Sequence, residues 1–437
     1  MEKIRELGFG ELRMHLLHSL GDGTTQGALH VRIEGELDDK YLESVVETLL
    51  IKLPVLRATI QKIDGRYYFC LADRNHHRNG FLDITVDKNA PNLWQARLEA
   101  ENNLLLNSEE QLWRLVAVNY QSVNCWDLIL VMHHALMDAA GSEFLLDQIL
   151  GCLGNLYEIG SLESTDNVFP SLEEDTVTAC EWEKYVGIQS NIKIKLASLN
   201  LQKHLSSVGL NERNTKSQYF QVNQDLVAQL EDFCEINQIS LNSLFSAALL
   251  SSIALCTPDR KSFALFSAVS LRPLCQNVKE RSLGCYLNVM PTVHSFSDDS
   301  VSSIISLSRE HKIEVQRAFL NTGRWIPRNY DVAIVENMIS TLANSNTFGN
   351  DIGITYAESG LAPQYGKLKV KHQYVTARRN IGNVALILHG LKSDRDIYFS
   401  LSHVEPLQSR EWAILVKNKF LDLLLMISKS SFDTVKI

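Results

Sequence analysis

Apolar positions along the chain recur with two different periods. Between Tyr41 and Lys52, the residues Leu42, Val45, Val46, Leu49 and Leu50 fall at i, i+3, i+4, i+7 and i+8, which is one stripe of a helix that Pro54 then stops. Residues 55–63 and 66–72 are β-rich runs on either side of Asp64-Gly65, a pair suited to a tight hairpin turn. The first 75 residues therefore read as strand, helix, strand, strand. Further strands are predicted at 113–120 and 127–132. The second of these, Leu128-Ile129-Leu130-Val131-Met132, is apolar on both faces and is expected at the centre of a sheet. A helix over 142–150 follows, with Leu145/Ile149 and Leu146/Leu150 one turn apart.

Residues 160–179 change character, being acidic, Ser/Thr-rich and interrupted by Pro170, and they form the best linker candidate. Beyond them Leu226, Leu230, Phe233 and Cys234 make a helical stripe, and Ser240 precedes a mostly apolar helix over 241–254. Strands are predicted at 262–269, 285–293, 353–357, 367–374, 383–389 and 397–403, a loop around Arg272-Pro273, and helices at 302–319 and 409–428. This order fits an α/β (α+β) fold of two similar lobes better than a solenoid or a barrel. The expected division is an N-terminal lobe over 1–165, a crossover over 166–215 and a C-terminal lobe over 216–437.

The 437 residues are 45% hydrophobic and 21% charged, which allows a large core. The net charge of −9 removes the basic footprint of a nucleic-acid binder. The start, Met1-Glu2-Lys3-Ile4-Arg5-Glu6, has no apolar leader region, and the longest apolar stretch, 244–256, is interrupted by serines and too short to span a bilayer. Eight cysteines lie singly, without a C-x-x-C pair, and read as free thiols. A cytoplasmic protein without a transmembrane segment is expected.

Several chemistries leave no trace. There is no phosphate-binding loop of the G-x-x-x-x-G-K-[ST] type, no G-x-S-x-G elbow and no H-E-x-x-H helix, and Gly8-Phe9-Gly10 lacks the third glycine of a dinucleotide fingerprint. What remains is His133-His134-Ala135-Leu136-Met137-Asp138. Thirteen histidines in the chain give about 0.4 His-His pairs by chance, so the dipeptide alone carries little weight. His76-His77, in a polar glycine-containing stretch, reads as a solvated loop. His133-His134 differs because it ends an apolar strand and leads into a helix, the place where α/β sheets present ligand-binding groups. Neighbouring strand residues point to opposite faces, so one imidazole is expected to meet substrate and the other to pack. The bland alternative is a pair of satisfied core histidines; a metal site is disfavoured, because adjacent strand histidines converge poorly on one ion.

His133-His134-x-x-x-Asp138 resembles the H-H-x-x-x-D motif of acyltransferases with the chloramphenicol-acetyltransferase-like fold, the superfamily of condensation domains, alcohol acetyltransferases and phthiocerol-type acyltransferases. Leu53-Pro54-Val55-Leu56-Arg57-Ala58 and Leu112-Trp113-Arg114-Leu115 are similar to stretches that precede the motif there. Leu241 to Ala248 resembles the second-lobe helix. Ser270-Leu271-Arg272-Pro273 and Leu283-Gly284-Cys285-Tyr286-Leu287-Asn288 resemble the L-R-P and L-G-x-x-x-N segments. The likeness covers nearly the whole chain. It departs at Ala139, where the family has glycine and this chain defers it to Gly141, and at Tyr356 to Gly360, which replaces the phthiocerol-type S-N-x-G. The plant-type D-F-G-W-G block is absent.

The resemblance implies a site in a tunnel between the lobes and transfer of an acyl group from acyl-CoA or a carrier-bound phosphopantetheinyl thioester, with no permanent cofactor. The favoured acceptor is an alcohol, in specialised-metabolite or lipid assembly. Amide formation by a stand-alone condensation enzyme, and a non-catalytic lobe pair that recruits a carrier protein, are the alternatives. His134 is implied as general base, a role that a mostly neutral imidazole can fill near pH 7. His133 supports it, and Arg272 is the implied partner of Asp138, which reads equally well as a helix N-terminal carboxylate. Asn288 and Gly141 are candidates for substrate contact, Asn288 reading as readily as a structural turn residue. Lys367, Lys369 and Lys371, near Arg378 and Arg379, either meet a donor phosphate or an acidic carrier, or form a solvated strand face. A monomer is expected.

Overall fold

The computed structural model describes residues 2–71, 80–87, 93–162 and 169–433, so His76-His77 and part of the 160–179 segment lie outside the described residues. The first part of the chain runs Glu2–Glu6 (β1), Phe9–Leu20 (α1), Gly27–Glu34 (β2), Asp39–Lys52 (α2), Ala58–Ile63 (β3), Arg66–Leu71 (β4), Leu82–Val86 (β5), Trp94–Asn103 (α3), Trp113–Tyr120 (β6), Cys125–Met132 (β7) and Ala139–Leu153 (α4). Leu172–Asp175 (α5) and Ala179–Cys180 (β8) lead to Trp182–Ala197 (α6). The rest is Asn214–Val222 (β9), Gln224–Asn237 (α7), Leu241–Cys256 (α8), Ser262–Ser270 (β10), Leu287–Ser295 (β11), Val301–Ala318 (α9), Ile326–Pro327 (β12), Val332–Ala343 (α10), Asn350–Glu358 (β13), Gln364–Tyr365 (β14), Leu368–Ala377 (β15), Val384–Ser393 (β16), Asp396–Glu405 (β17) and Arg410–Asp433 (α11).

Two six-stranded mixed sheets carry the architecture, in the orders β14-β15-β2-β7-β6-β5 and β11-β10-β13-β16-β17-β9. In the first only β5 and β6 are parallel. In the second β10, β13 and β16 run parallel and the outer pairs antiparallel. Helices flank both, giving the two-lobed α/β fold that the hydrophobic pattern predicts. All eight residues of β7 are buried, in keeping with its central position. One face of the first sheet packs Leu29, Leu115, Leu128 and Leu130 against α1, α2 and α4, while Val116, Ile129 and Val131 meet Trp94 and Leu98 of α3 on the other. The second sheet buries Ile352, Leu386, Leu388 and Phe399 against α7, α8 and α11.

Strand β15 couples the lobes. It follows β13 of the second sheet in sequence, yet pairs with β2 of the first. Its far side meets β9, β16 and β17 through side-chain hydrogen bonds: Thr376 Oγ1 to Ser217 Oγ at 3.1 Å and to Ser402 Oγ at 3.3 Å, and Gln373 Nε2 donating to Ser393 Oγ at 2.7 Å. Ser400 also donates to the Val375 carbonyl. A buried polar seam of this kind stays favourable only where donors and acceptors match, which fixes the register between the sheets.

Local chemistry accounts for the ends of elements. Asp64 at φ 51° and Gly65 at φ 81° close the β3–β4 hairpin with Ile63 opposite Arg66. The stretch expected as a strand from Val55 begins three residues later, because Pro54 at the first helical position starts a short 3-10 turn through Arg57. Helix α1 gave no apolar stripe, since Glu11, His15 and His18 share its buried face with Leu12, Leu16 and Leu17. Among the described residues no single helix is long and apolar enough to cross a membrane.

Candidate active site

The motif leaves the end of β7 as the alternation of strand side chains requires. His133 is fully buried in the first lobe, its ring 4.5 Å from that of His18 and 5.7 Å from that of His15, with Nδ1 accepting from the Ala135 amide at 3.1 Å. Burial, then the neighbouring imidazoles, hold its pKa well below the ordinary value. His134 points the other way and keeps part of its surface. Its Nδ1 is enclosed, which leaves Nε2 as the nitrogen able to meet a substrate. Burial lowers the pKa of His134, Asp138 raises it and Arg379 lowers it further, with a net downward shift. Such a ring is neutral near pH 7 and able to accept a proton.

Asp138 performs both of the tasks its position suggested. Oδ1 caps α4 by accepting from the Gly141 amide at 3.1 Å. Oδ2 accepts from Arg272 Nη1 and from the Tyr286 amide, the latter at 3.0 Å. Arg272 also donates to the Ser282 carbonyl at 2.8 Å and lies 4.9 Å from the Tyr286 ring centroid. Backbone bonds between the Asp138 amide and the Gly284 carbonyl (3.0 Å), and between the Gly284 amide and the Leu136 carbonyl (3.1 Å), zip the motif loop to the segment after Leu283. That approach needs glycine. Gly284 sits at φ 118°, and a Cβ there would lie 2.3 Å from the Tyr286 ring.

Gly141 and Asn288 are engaged within the protein itself. The Gly141 amide is the one capped by Asp138, and a Cβ at this position would approach Met137 Cβ to 2.9 Å, so the deferred glycine lets α4 start against the zipped loop. Ala139, in the place of the family glycine, is exposed. Asn288 Nδ2 donates to the Gly323 carbonyl at 2.8 Å at the start of β11. Lys367, Lys369 and Lys371 are exposed, with Lys371 Nζ 3.1 Å from Glu34 Oε2 across the β15–β2 pair. Across the lobes, the Gly360 amide donates to Glu143 Oε2 on α4 at 2.9 Å, and burial raises the Glu143 pKa to about 7.

Two residues complete the surroundings of His134: Arg379, which the sequence grouped with the β15 lysines rather than with the motif, and His389, which it did not nominate. Ala377 pairs with Gly27, and Gly27 with Met132, so β15 and β7 end in one row and Arg379 stands two residues past its strand as His134 does past its own. From the opposite sheet His389 projects on the face away from α8, with Nδ1 2.9 Å from Thr355 Oγ1 and Nε2 enclosed. Burial, Arg379 and His134 hold the His389 pKa down to about 3, which places the three groups within electrostatic reach of one another. A lone histidine in the apolar run Ala385-Leu386-Ile387-Leu388-His389 offered no signal beyond its strand period. Among the described residues no group of three or more His, Cys, Asp or Glu is arranged to hold a metal ion.

Comparison of the structure with solved proteins identifies the fold. No protein-family model matches the sequence, and no curated sequence matches it either. Among solved structures, the trichothecene 15-O-acetyltransferase of Fusarium sporotrichioides is similar at TM-score 0.75 and 10% identity, over 97% of this chain and 94% of that one. The condensation domain of the monacolin K polyketide synthase is similar at TM-score 0.70 and 12% identity, over 98% of both chains. The starter condensation domain of rhizomide synthetase, solved with C8-CoA, is similar at TM-score 0.67 and 12% identity, over 98% and 95%. The chain thus has the two-lobed, chloramphenicol-acetyltransferase-like fold of condensation domains and acetyltransferases, along nearly its whole length.

Proposed function

We propose that the protein is an acyltransferase that moves an acyl group from a thioester of coenzyme A or of a carrier-bound phosphopantetheine to an alcohol, with His134 as general base. The observation that carries this reading is the split of the histidine pair. His133 is sealed among His15 and His18, while His134 keeps an accessible edge beside the facing sheet and a pKa below the ordinary value. In the reaction the acceptor O–H proton passes to His134 Nε2 as the oxygen attacks the thioester carbonyl. The C–O bond forms, the tetrahedral intermediate collapses with loss of the C–S bond, and the proton returns from His134 to the departing sulfur. Asp138 and Arg272 stay off the reaction coordinate and hold the loop that carries the imidazole.

Support for the donor class comes from the rhizomide synthetase neighbour, which was solved with C8-CoA. The trichothecene acetyltransferase favours an oxygen acceptor, and the condensation-domain neighbours favour the second reading, amide formation on an amine. A panel of acyl-CoA and acyl-pantetheine thioesters offered with alcohols and amines, with products read by mass spectrometry, separates the two. His134→Ala should lower turnover by about 10²–10⁴ with the fold intact. Unchanged turnover would remove His134 as base, and absence of product from every thioester and acceptor pair in the unaltered protein would favour a lobe pair that only recruits a carrier.

A further inference from the structure

Arg378 and Arg379 are neighbours with opposite fates. Arg378 is buried and fully engaged, donating to the Asp22 carbonyl at 2.7 Å, to Asp22 Oδ2 at 2.5 Å and to the Asn103 carbonyl. Arg379 is held only by its backbone, whose amide donates to Thr215 Oγ1 at 2.8 Å. Its guanidinium makes no hydrogen bond and no ion pair among the described residues, and Nε is enclosed without a partner. Arg379 is part-buried, its Nε sealed while the rest of the side chain keeps some access to solvent, and a cation partly withdrawn from water without a counter-charge is a ready partner for an anion supplied from outside the chain. Here the cation stands at the end of β15, in the same row of the first sheet as the end of β7 that carries His134, and opposite His389 of the second sheet.

We infer that Arg379 is the counter-cation for a carboxylate carried by one of the two reacting substrates, a few bonds from the atom that reacts at His134. This rests on the reading of His134 as the base. The pantetheine phosphate is not that anion, because the whole pantetheine arm lies between it and the sulfur, and hence between it and the base. The planar guanidinium offers two parallel N–H donors, which suits a carboxylate. The cation also disfavours a proton on His134, so the residue that binds the anion keeps the base neutral.

The carboxylate can belong to the acceptor, as in a hydroxy acid, or to the acyl group, as in a dicarboxylic half-thioester, and the test has an arm for each. Histidine-ring NMR signals of the full chain are followed during titration with lactate against lactamide, and with succinyl-pantetheine against butyryl-pantetheine. In at least one arm the carboxylate should bind about ten-fold or more tighter than its neutral counterpart. The preference should vanish in Arg379→Leu and survive in part in Arg379→Lys. Since Arg379 has no protein partner to orphan, Arg379→Leu should melt at or above the wild-type temperature, and Arg379→Gln serves as a second neutral variant. Absence of any carboxylate preference in both arms, or a preference that persists in the neutral variants, overturns the proposal. His134→Ala separates it from the reading on which it rests: that variant should lose turnover and keep the carboxylate preference, because the two losses arise from different residues.

Discussion

Replacing Arg272 by methionine removes a cation while keeping most of the side-chain volume, and the cost follows from what Asp138 retains. The carboxylate and the guanidinium are 6% and 5% exposed, so neither can turn to water. Breaking a buried pair from one side costs about 3–5 kcal/mol, much of it the penalty of the charge left behind. Asp138 would keep the Gly141 and Tyr286 amides, which places the loss near the lower limit of that range. For a chain of this length about 3 kcal/mol corresponds to a fall in Tm of roughly 3–4 °C if both lobes unfold together, and about twice that if one lobe melts alone. Asp138→Asn should cost at least as much: its amide oxygen can still cap α4, but its NH2 group then faces the Arg272 and Tyr286 donors and the buried guanidinium loses its counter-charge. The decisive measurement is a double-mutant cycle by calorimetry, in which Arg272→Met with Asp138→Asn should cost less than the two single changes added, by about 1–3 kcal/mol. Simple additivity would show that the pair is not coupled and that the loop is held by its backbone bonds to Gly284 alone.

Other outcomes follow from the same geometry. The rate on neutral substrates should rise with pH through the His134 pKa, with its midpoint below the ordinary histidine value, and Arg379→Leu should move that midpoint upward; a midpoint unmoved by this change would separate the two side chains. Stability should depend on the buried histidines with the opposite sign to a salt-bridged one. His15 is held down to about 3 by burial and then by His18, so its contribution is complete above the unfolded value near 6.5 and is lost as pH falls toward 3. At pH 5 this one residue accounts for about 2 kcal/mol, and His15→Gln should flatten the fall of Tm with acid. Gly284→Ala should lower both stability and turnover, by at least about 1 kcal/mol in the first, because the new methyl meets the Tyr286 ring in a backbone region that disfavours side chains; wild-type melting in this variant would argue against the tight loop pairing.

Much of the fold is legible in the chain because strands and helices here are made by local patterns. Leu42, Val45, Val46 and Leu49 form the buried stripe of α2, Asp64-Gly65 closes its hairpin, and the unbroken run ending at Met132 fills the middle of a sheet. Helix α1 escapes detection because its buried face spends positions on histidines, and those histidines are the ones that enclose His133. Helix α6 escapes because it buries only Tyr185 and so carries no stripe at all. The surroundings of His134 divide along the same line. Its strand end and its capping aspartate adjoin it in sequence and can be read there. Arg379 and His389 are brought to it only by the crossing of β15 into the first sheet, a pairing that no local period records. That topology also explains why two adjacent arginines that look like a basic patch are not one. Successive residues past a strand end diverge, so Arg378 turns to the Asp22 loop and becomes structural, while Arg379 lies within electrostatic reach of His134 and His389 with its charge unspent. Arg379 is thus brought near His134 by the crossover itself, and a change in the length of the segment joining β13 to β15 should displace that cation without touching His134.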